Sequence, residues 1–130
     1  MHAAADKAIP AIVELGGKSA GIVYSDADLD GVVESARYAI FGVAGQICTA
    51  ISRLVVHKSV KDELLVKLVD LSKSLKVGPG YEEGSELTPV ISQNQLDKVE
   101  GYARSGIQGG AEAVHGGKPV SYTHLRAHET

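Results

Sequence analysis

Two short segments contain residues whose types and spacing allow covalent chemistry. Cys48 follows a turn-forming glycine, Gly45, and Glu14 ends an apolar run just before Gly16 and Gly17. Unpaired N–H groups at a turn or a helix start favour a thiolate over a thiol. A glutamate beside two glycines lies where backbone can approach a ligand closely. A thiolate with a nearby carboxylate can perform covalent catalysis followed by base-assisted hydrolysis.

The same residues also have ordinary structural interpretations. A single cysteine in an apolar setting is usually a small core residue. A glutamate before two glycines can simply end a strand in solvent. From the residue types alone, Cys48 and Glu14 are candidates for catalysis, and the structural interpretation stays open.

The elements that must position these residues alternate between short apolar runs and helical periodicity, which is typical of an α/β fold. The apolar runs predict strands at residues 11–15, 21–24 and 53–57, with a short further strand at 113–114. Gly16 and Gly17 end the first of these runs. We therefore expect an α/β protein in which helices pack against a sheet.

Three helices are predicted between and after the strands. The first follows several possible caps in residues 25–30 and ends near Gly42. The second begins at a capping-box pattern, Ser59 with Asp62, and has an apolar stripe formed by Val60, Leu64, Leu68, Leu71 and Leu75. The third opens with Ser92 and Gln95, and its expected inward face is formed by Leu96, Val99, Ala103 and Ile107.

The overall composition excludes several classes of partner. Hydrophobic residues make up 44% and charged residues 22% of the 130 positions, and the formal net charge is −3. This balance attracts neither nucleic acid nor an anionic membrane surface. The apolar stretches are shorter than the ~20 residues that a membrane span needs. With one cysteine and no secretory signal pattern, a cytoplasmic protein without a metal site is expected.

Two motifs together resemble those of the aldehyde dehydrogenase family. The segment Glu14-Leu15-Gly16-Gly17-Lys18-Ser19 resembles the glutamate motif of that family, and Gly45-Gln46-x-Cys48-x-Ala50 resembles its cysteine motif. The order and the separation of the motifs also match. Flanking segments extend the resemblance over roughly residues 2 to 119.

The resemblance implies a role for each candidate residue. Cys48 would be the nucleophile that attacks an aldehyde substrate, and its backbone N–H would help to hold the oxyanion. Hydride would pass to NAD or NADP, and Glu14 would activate the water that hydrolyses the thioester. The presence of Glu14 favours the hydrolytic members over those that transfer the acyl group to coenzyme A.

Three further residues would contact the cofactor by resemblance. The carbonyl of Leu15 would meet the nicotinamide carboxamide. Gln95 and Lys98 lie where some members contact the cofactor ribose. For Gln95 and Lys98, a capping residue and a solvated helix lysine are equally good interpretations.

The resemblance also implies a partial aldehyde dehydrogenase fold, an open three-layer αβα arrangement that contains the end of the cofactor-binding domain and the first part of the catalytic domain. Residues 1–17 would be the C-terminal end of an NAD(P)-binding domain, and residues 18–119 would be part of a catalytic domain. Residues 120–130 show neither strand alternation nor a helical stripe, and we expect them to be a non-native tail, with a genuine flexible terminus as the alternative. The chain would be an internal fragment, inactive by itself, of an enzyme that forms a homodimer or homotetramer.

One departure from the family pattern lies inside the cysteine motif. Val43 and Ala44 stand where many members have polar residues, commonly asparagine at the first position. The substitution removes side-chain hydrogen bonds that shape the turn before Cys48. Two alternatives therefore remain beside the enzyme. One is a stand-alone, non-catalytic module for binding or assembly, and the other is a redox-sensing thiol protein.

Overall fold

The computed structural model describes residues 2–118. Two strands and four helices occur in this part of the chain, with one short 3₁₀ turn, Gly42–Gly45, between the second helix and the second strand. The elements are α1 (His2–Ala5), β1 (Ala20–Val23), α2 (Leu29–Ala39), β2 (Arg53–Val56), α3 (Lys61–Ser74) and α4 (Gln93–Gln108). The alternation of strands with helices confirms the predicted α/β class.

The two strands form a parallel pair. Ala20 is aligned with Arg53 and Val23 with Val56, and the amide of His57 continues the ladder with a 2.8 Å hydrogen bond to the carbonyl of Val23. A parallel pair needs a long crossover connection, and α2 supplies it. The predicted strands at 21–24 and 53–57 are therefore confirmed to within one residue at each end.

The core forms where α2 packs against α3 and against the segment that follows α3. Ala36 on α2, Leu71 on α3 and Leu75 just after it are buried, and partly buried side chains surround them: Val33, Ile40, Phe41, Leu68 and Leu87. Leu64 on α3 is 1% exposed. The apolar stripe predicted for this helix thus faces the core, as its 3.6-residue period requires.

Ion pairs on the surface link α2 to the neighbouring segments. The carboxylate of Asp30 lies 2.6 Å from Nζ of Lys67 on α3, and this hydrogen-bonded anion raises the pKa of Lys67. Arg37 pairs with Glu86, whose second oxygen accepts a 3.2 Å bond from the amide of Lys76. Because these pairs are solvent-accessible, each adds little to stability compared with the buried leucines.

Caps were predicted for α2, α3 and α4, and two of these three helices begin with the predicted capping chemistry. Asp28 caps α2 by accepting a 3.1 Å bond from the amide of Asp30, and Ser92 caps α4 by accepting from the amide of Gln95. The capping box predicted at Ser59 is wrong. Ser59 instead lies 2.8 Å from Nδ1 of His57, and the first position of α3 has no side-chain cap.

The strands predicted at residues 11–15 and 113–114 are absent from the described residues 2–118. Residues 11–15 contribute no ladder pairing, and Ile12 is 93% exposed. A strand requires a neighbour that takes up its backbone hydrogen bonds. The sheet of the described residues contains β1 and β2 alone, so neither apolar run has such a neighbour.

The inward face predicted for α4 is also wrong for this part of the chain. Val99 is 48% and Ile107 is 50% exposed, and α4 has no buried residue. The helix has the expected apolar stripe, but none of the other described helices or strands covers it extensively. The tail expected at 120–130 lies outside the described residues. None of the helices in residues 2–118 combines the length and apolar character of a membrane span.

The burial of Leu64 predicts a large effect of truncation. Leu64→Ala removes a side chain that is 1% exposed, so we expect the free energy of unfolding to fall by about 2–4 kcal/mol. The adjacent Leu65, which is 36% exposed, provides the matched control, and Leu65→Ala should cost less than about 1 kcal/mol. Urea unfolding followed by circular dichroism measures both values. Equal losses in the two variants would contradict the placement of the core.

Candidate active site

The parallel pairing of the strands brings the two candidate segments to one edge of the sheet. The segment with Glu14 leads into β1, and the segment with Cys48 leads into β2. Since the amino ends of parallel strands lie at the same edge, both segments enter the sheet side by side. Two apolar runs far apart in sequence therefore place a carboxylate-bearing and a thiol-bearing segment together.

Direct contacts join these segments beyond the end of the ladder. The backbone of Gly17 lies so close to Cys48 that a β-carbon at Gly17 would be 3.0 Å from the Cys48 carbonyl oxygen. The guanidinium of Arg53, the first residue of β2, donates a 2.8 Å hydrogen bond to the carbonyl of Lys18. The structure thus brings the backbone that follows Glu14 against the peptide of Cys48.

The turn before Cys48 has an unusual backbone. Val43 has φ 50° and ψ 34°, Ala44 has φ 54° and ψ 34°, and Gly45 has φ 73°. Three consecutive residues therefore lie in the left-handed region, which is unfavourable for alanine and more so for a β-branched residue. The amide and the side-chain amide of Gln46 both donate to the carbonyl of Val43, at 3.1 and 3.3 Å.

Cys48 lies in a loop with both ends fixed. The amide of Ala50 donates to the carbonyl of Ile47, and the amide of Ile51 donates a 2.9 Å bond to Ala39 at the end of α2. The thiol is exposed, and within residues 2–118 the backbone N–H of Cys48 donates no hydrogen bond. No helix begins at Cys48 in residues 2–118, because this loop leads into β2.

The remaining candidates lie in two places. Glu14 and Leu15 are exposed on extended backbone before β1, and the carbonyl of Leu15 accepts no hydrogen bond within residues 2–118. Gln95 is partly buried in the first turn of α4, and Lys98 is exposed on the same helix. The structure brings the Glu14 segment and Cys48 together, whereas α4 makes no extensive contact with the other described elements.

An apolar cleft of about 400 Å³ lies between the sheet and α2. It is bordered by Ile22 and Leu54 on the strands and by Val32, Ala36 and Ile40 on the helix. Neither Cys48 nor Glu14 lines it, and Asp28 and Ser35 are the lining residues with polar side chains. The chemistry-bearing residues thus belong to the sheet edge.

Comparison with known proteins assigns the family. The family described as "Aldehyde dehydrogenase family" matches residues 1–127. The chain belongs to the aldehyde dehydrogenase family. This confirms the resemblance stated from the two motifs and the partial aldehyde dehydrogenase fold that it implied.

Several individual aldehyde dehydrogenases are similar to this chain. The probable betaine aldehyde dehydrogenase of Schizosaccharomyces pombe is 46% identical over 121 residues, which are 93% of this chain and 24% of that protein. The betaine aldehyde dehydrogenase of Bacillus subtilis is 42% identical over 118 residues, 91% of this chain and 24% of that protein. The chain therefore spans about a quarter of the curated relatives that it matches.

A solved aldehyde dehydrogenase has the same arrangement of elements. The betaine aldehyde dehydrogenase of Staphylococcus aureus in complex with NAD+ superposes with a TM-score of 0.84 at 36% identity. The superposition covers 94% of this chain and 24% of that one. The compared region is thus about a quarter of that structure.

Sequence reasoning missed two features of this site. Gly17 was part of the glutamate motif and Arg53 began a predicted strand, but neither was given a role, although each joins the two segments. That reasoning treated Val43 and Ala44 as a loss of polar side chains, whereas the structure shows a left-handed backbone there. The Gly-Gly pair was the available signal for a close backbone approach.

The left-handed turn predicts that glycine is favoured at position 44. Ala44→Gly should raise the free energy of unfolding by about 0.5–1 kcal/mol, because glycine has no β-carbon to oppose a positive φ. Ala36→Gly, in the buried interior of α2, should lower it by about 1 kcal/mol or more. Urea unfolding of both variants provides the comparison. A loss of stability in Ala44→Gly would show that position 44 does not adopt this backbone.

Proposed function

We propose that this chain supplies the cysteine and glutamate segments of an enzyme that oxidises an aldehyde to a carboxylic acid with NAD+ or NADP+. The observation that carries the proposal is the contact of the Glu14 segment, through Gly17, with the peptide of Cys48. Membership of the aldehyde dehydrogenase family supports it. Two similar solved structures are complexes with nicotinamide adenine dinucleotide (NAD). They are those of Staphylococcus aureus betaine aldehyde dehydrogenase and of PnpE.

Cys48 would begin the reaction. Its thiolate attacks the carbonyl carbon of the aldehyde, forming a C–S bond and an oxyanion. The backbone N–H of Cys48, which has no partner within residues 2–118, donates to that oxyanion. When bound, the nicotinamide cofactor would accept a hydride from the former aldehyde carbon, which leaves a thioester on Cys48.

Residues of this chain fit contact with such a cofactor. The carbonyl of Leu15 lies on exposed, extended backbone and accepts no hydrogen bond within residues 2–118, so it can accept one from a carboxamide N–H. In α4, Gln95 presents a side-chain amide and Lys98 an exposed ammonium, both suited to the hydroxyls of a ribose. We assign the cofactor contacts to Leu15, Gln95 and Lys98.

Glu14 would complete the cycle. Its carboxylate takes a proton from water as the water oxygen attacks the thioester carbon. The C–S bond breaks, the thiolate of Cys48 is restored and the carboxylic acid leaves. Both carboxylate and thiol are exposed on adjoining segments, so water has access to each.

The proposed enzyme is longer than this chain. Residues 1–17 would end its NAD(P)-binding domain, and residues 18–119 would form part of its catalytic domain. Because the chain spans about a quarter of its curated relatives, we propose that it is inactive alone. We further propose a homodimeric or homotetrameric enzyme that acts on a small aldehyde in the reducing cytoplasm, where the Cys48 thiol stays available.

The role of Cys48 can be tested in a chimera in which residues 2–118 replace the matching segment of Bacillus subtilis betaine aldehyde dehydrogenase. We expect NADH formation from betaine aldehyde, and Cys48→Ala should lower it by at least about a thousandfold because no nucleophile remains. NADH absorbance measures both rates. The surface substitution Ser59→Ala should leave the rate unchanged, and the 130-residue chain alone should form no NADH. A Cys48→Ala chimera that keeps its activity would refute the assignment.

Glu14→Gln should separate the two halves of the reaction. In the same chimera we expect a rapid burst of NADH in the first turnover, followed by a steady state slowed about 10²- to 10⁴-fold, because the amide cannot accept the proton of water. Stopped-flow absorbance resolves both phases. Glu34→Gln, an exposed glutamate on α2, is the control and should alter neither phase. Loss of the burst, or an unchanged steady state, would rule out the hydrolytic role.

A further inference from the structure

Gly17 makes a steric contact that a side chain would disturb. A β-carbon built on Gly17 would lie 3.0 Å from the carbonyl oxygen of Cys48, closer than the ~3.3–3.6 Å of a normal C···O contact. The opposing atom belongs to the backbone, so it cannot rotate away as the end of a flexible side chain can. A larger residue at position 17 must therefore move one segment relative to the other.

The neighbouring glycine shows that the requirement is specific to position 17. A β-carbon at Gly16 would have nothing within 4 Å in the described structure. Neither Gly16 nor Gly17 has a positive φ, so alanine at either position meets no left-handed backbone penalty. A β-carbon would therefore meet neighbouring atoms only at Gly17, and the one tight contact there is with the carbonyl oxygen of Cys48.

A hydrogen bond holds the next residue from the other side. Nη2 of Arg53 donates to the carbonyl of Lys18 at 2.8 Å, and Arg53 is fixed at the start of β2 by its pairing with Ala20. Residues 17 and 18 are therefore fixed between the Cys48 peptide and the Arg53 guanidinium. Glu14 lies only three residues earlier, a span of at most about 10 Å.

We propose that Gly17 is a positioning residue that sets the separation of Glu14 from Cys48, with Arg53 as its partner. The proposal rests on the proposed function of these two residues. Formation of the thioester uses the thiolate and the backbone N–H of Cys48, with the bound cofactor as the hydride acceptor, and it does not require the carboxylate of Glu14. Hydrolysis also needs a water molecule between Glu14 and the thioester carbon, so it depends on this separation.

The proposal predicts an unequal effect on the two reaction phases. In the chimera, Gly17→Ala should keep the NADH burst within about twofold and slow the steady state about 3- to 10-fold. Relief of the contact shifts the segments by a few tenths of an ångström, and a misplacement of about 1 Å costs about a hundredfold. Arg53→Met, which removes the bond to Lys18, should act in the same direction. Equal reduction of burst and steady state in Gly17→Ala, or no reduction of either, would overturn the proposal.

A second measurement on the 130-residue chain does not depend on dehydrogenase activity. The rate of alkylation of Cys48 by iodoacetamide is recorded against pH for the unsubstituted chain, Gly17→Ala and Gly16→Ala. We expect the Gly17→Ala profile to differ by at least twofold from that of the unsubstituted chain, and the Gly16→Ala profile to coincide with it. Coincident profiles for all three proteins would contradict the proposal that the contact of residue 17 with the Cys48 peptide affects Cys48.

The two experiments distinguish failure of this proposal from failure of the proposed function. An unsubstituted chimera without aldehyde-dependent NADH formation, or an active Cys48→Ala chimera, removes the enzymatic role and the positioning role with it. An active, Cys48-dependent chimera in which Gly17→Ala behaves like the unsubstituted protein overturns the positioning role alone.

Discussion

The parallel pairing of β1 with β2 is the interaction on which the rest of the described structure depends. Its register aligns Ala20 with Arg53, and this alignment fixes where the preceding segments meet. The pairing also demands a crossover, which α2 provides, and α2 in turn packs against α3 to form the core. A shift of register would move Arg53 away from Lys18 and separate the segments that contain Glu14 and Cys48.

A small core supports the strand pairing, and many apolar side chains around it are exposed to solvent. Parallel strands are normally covered on both faces, yet Ile22 is 66% and Val55 is 58% exposed. The exposed apolar face of α4 and the extended residues 11–15 show the same property. These surfaces accord with the match to about a quarter of each curated relative, because a larger protein offers further elements to cover them.

Local patterns in the sequence were sufficient to predict the elements whose stability is local. The 3.6-residue periods located α2, α3 and α4, and the short polar side chains of Asp28 and Ser92 marked two helix starts. The run at residues 11–15 has the composition of a strand but lacks a partner strand among the described residues. The composition of a segment does not specify whether such a partner is present. Ser59 was mistaken for a cap because His57 competes for its hydroxyl.

In the candidate site, too, some features could be predicted from the sequence and others are created only by the fold. Cys48 and Glu14 were predicted from their residue types and from the two motifs, which are properties of the sequence alone. The contact of Gly17 with the Cys48 carbonyl joins residues whose approach is created by the strand register, so no local pattern specifies it. The left-handed backbone of Val43 and Ala44 was likewise hidden, since both residue types disfavour it.

That unfavourable backbone persists because the loop around Cys48 is constrained from both ends. At one end the turn folds back onto α2, where a β-carbon on Gly45 would lie 3.3 Å from the carbonyl of Ile40. At the other end Ile51 is hydrogen-bonded to Ala39, and β2 begins at Arg53. The chain must therefore leave α2, reverse and return to the same helix end within a short loop, and a left-handed turn achieves this reversal. Packing of α2 on α3 and pairing of β1 with β2 offset the local cost, so the position of the Cys48 peptide is determined by the surrounding fold rather than by the preferences of its own loop.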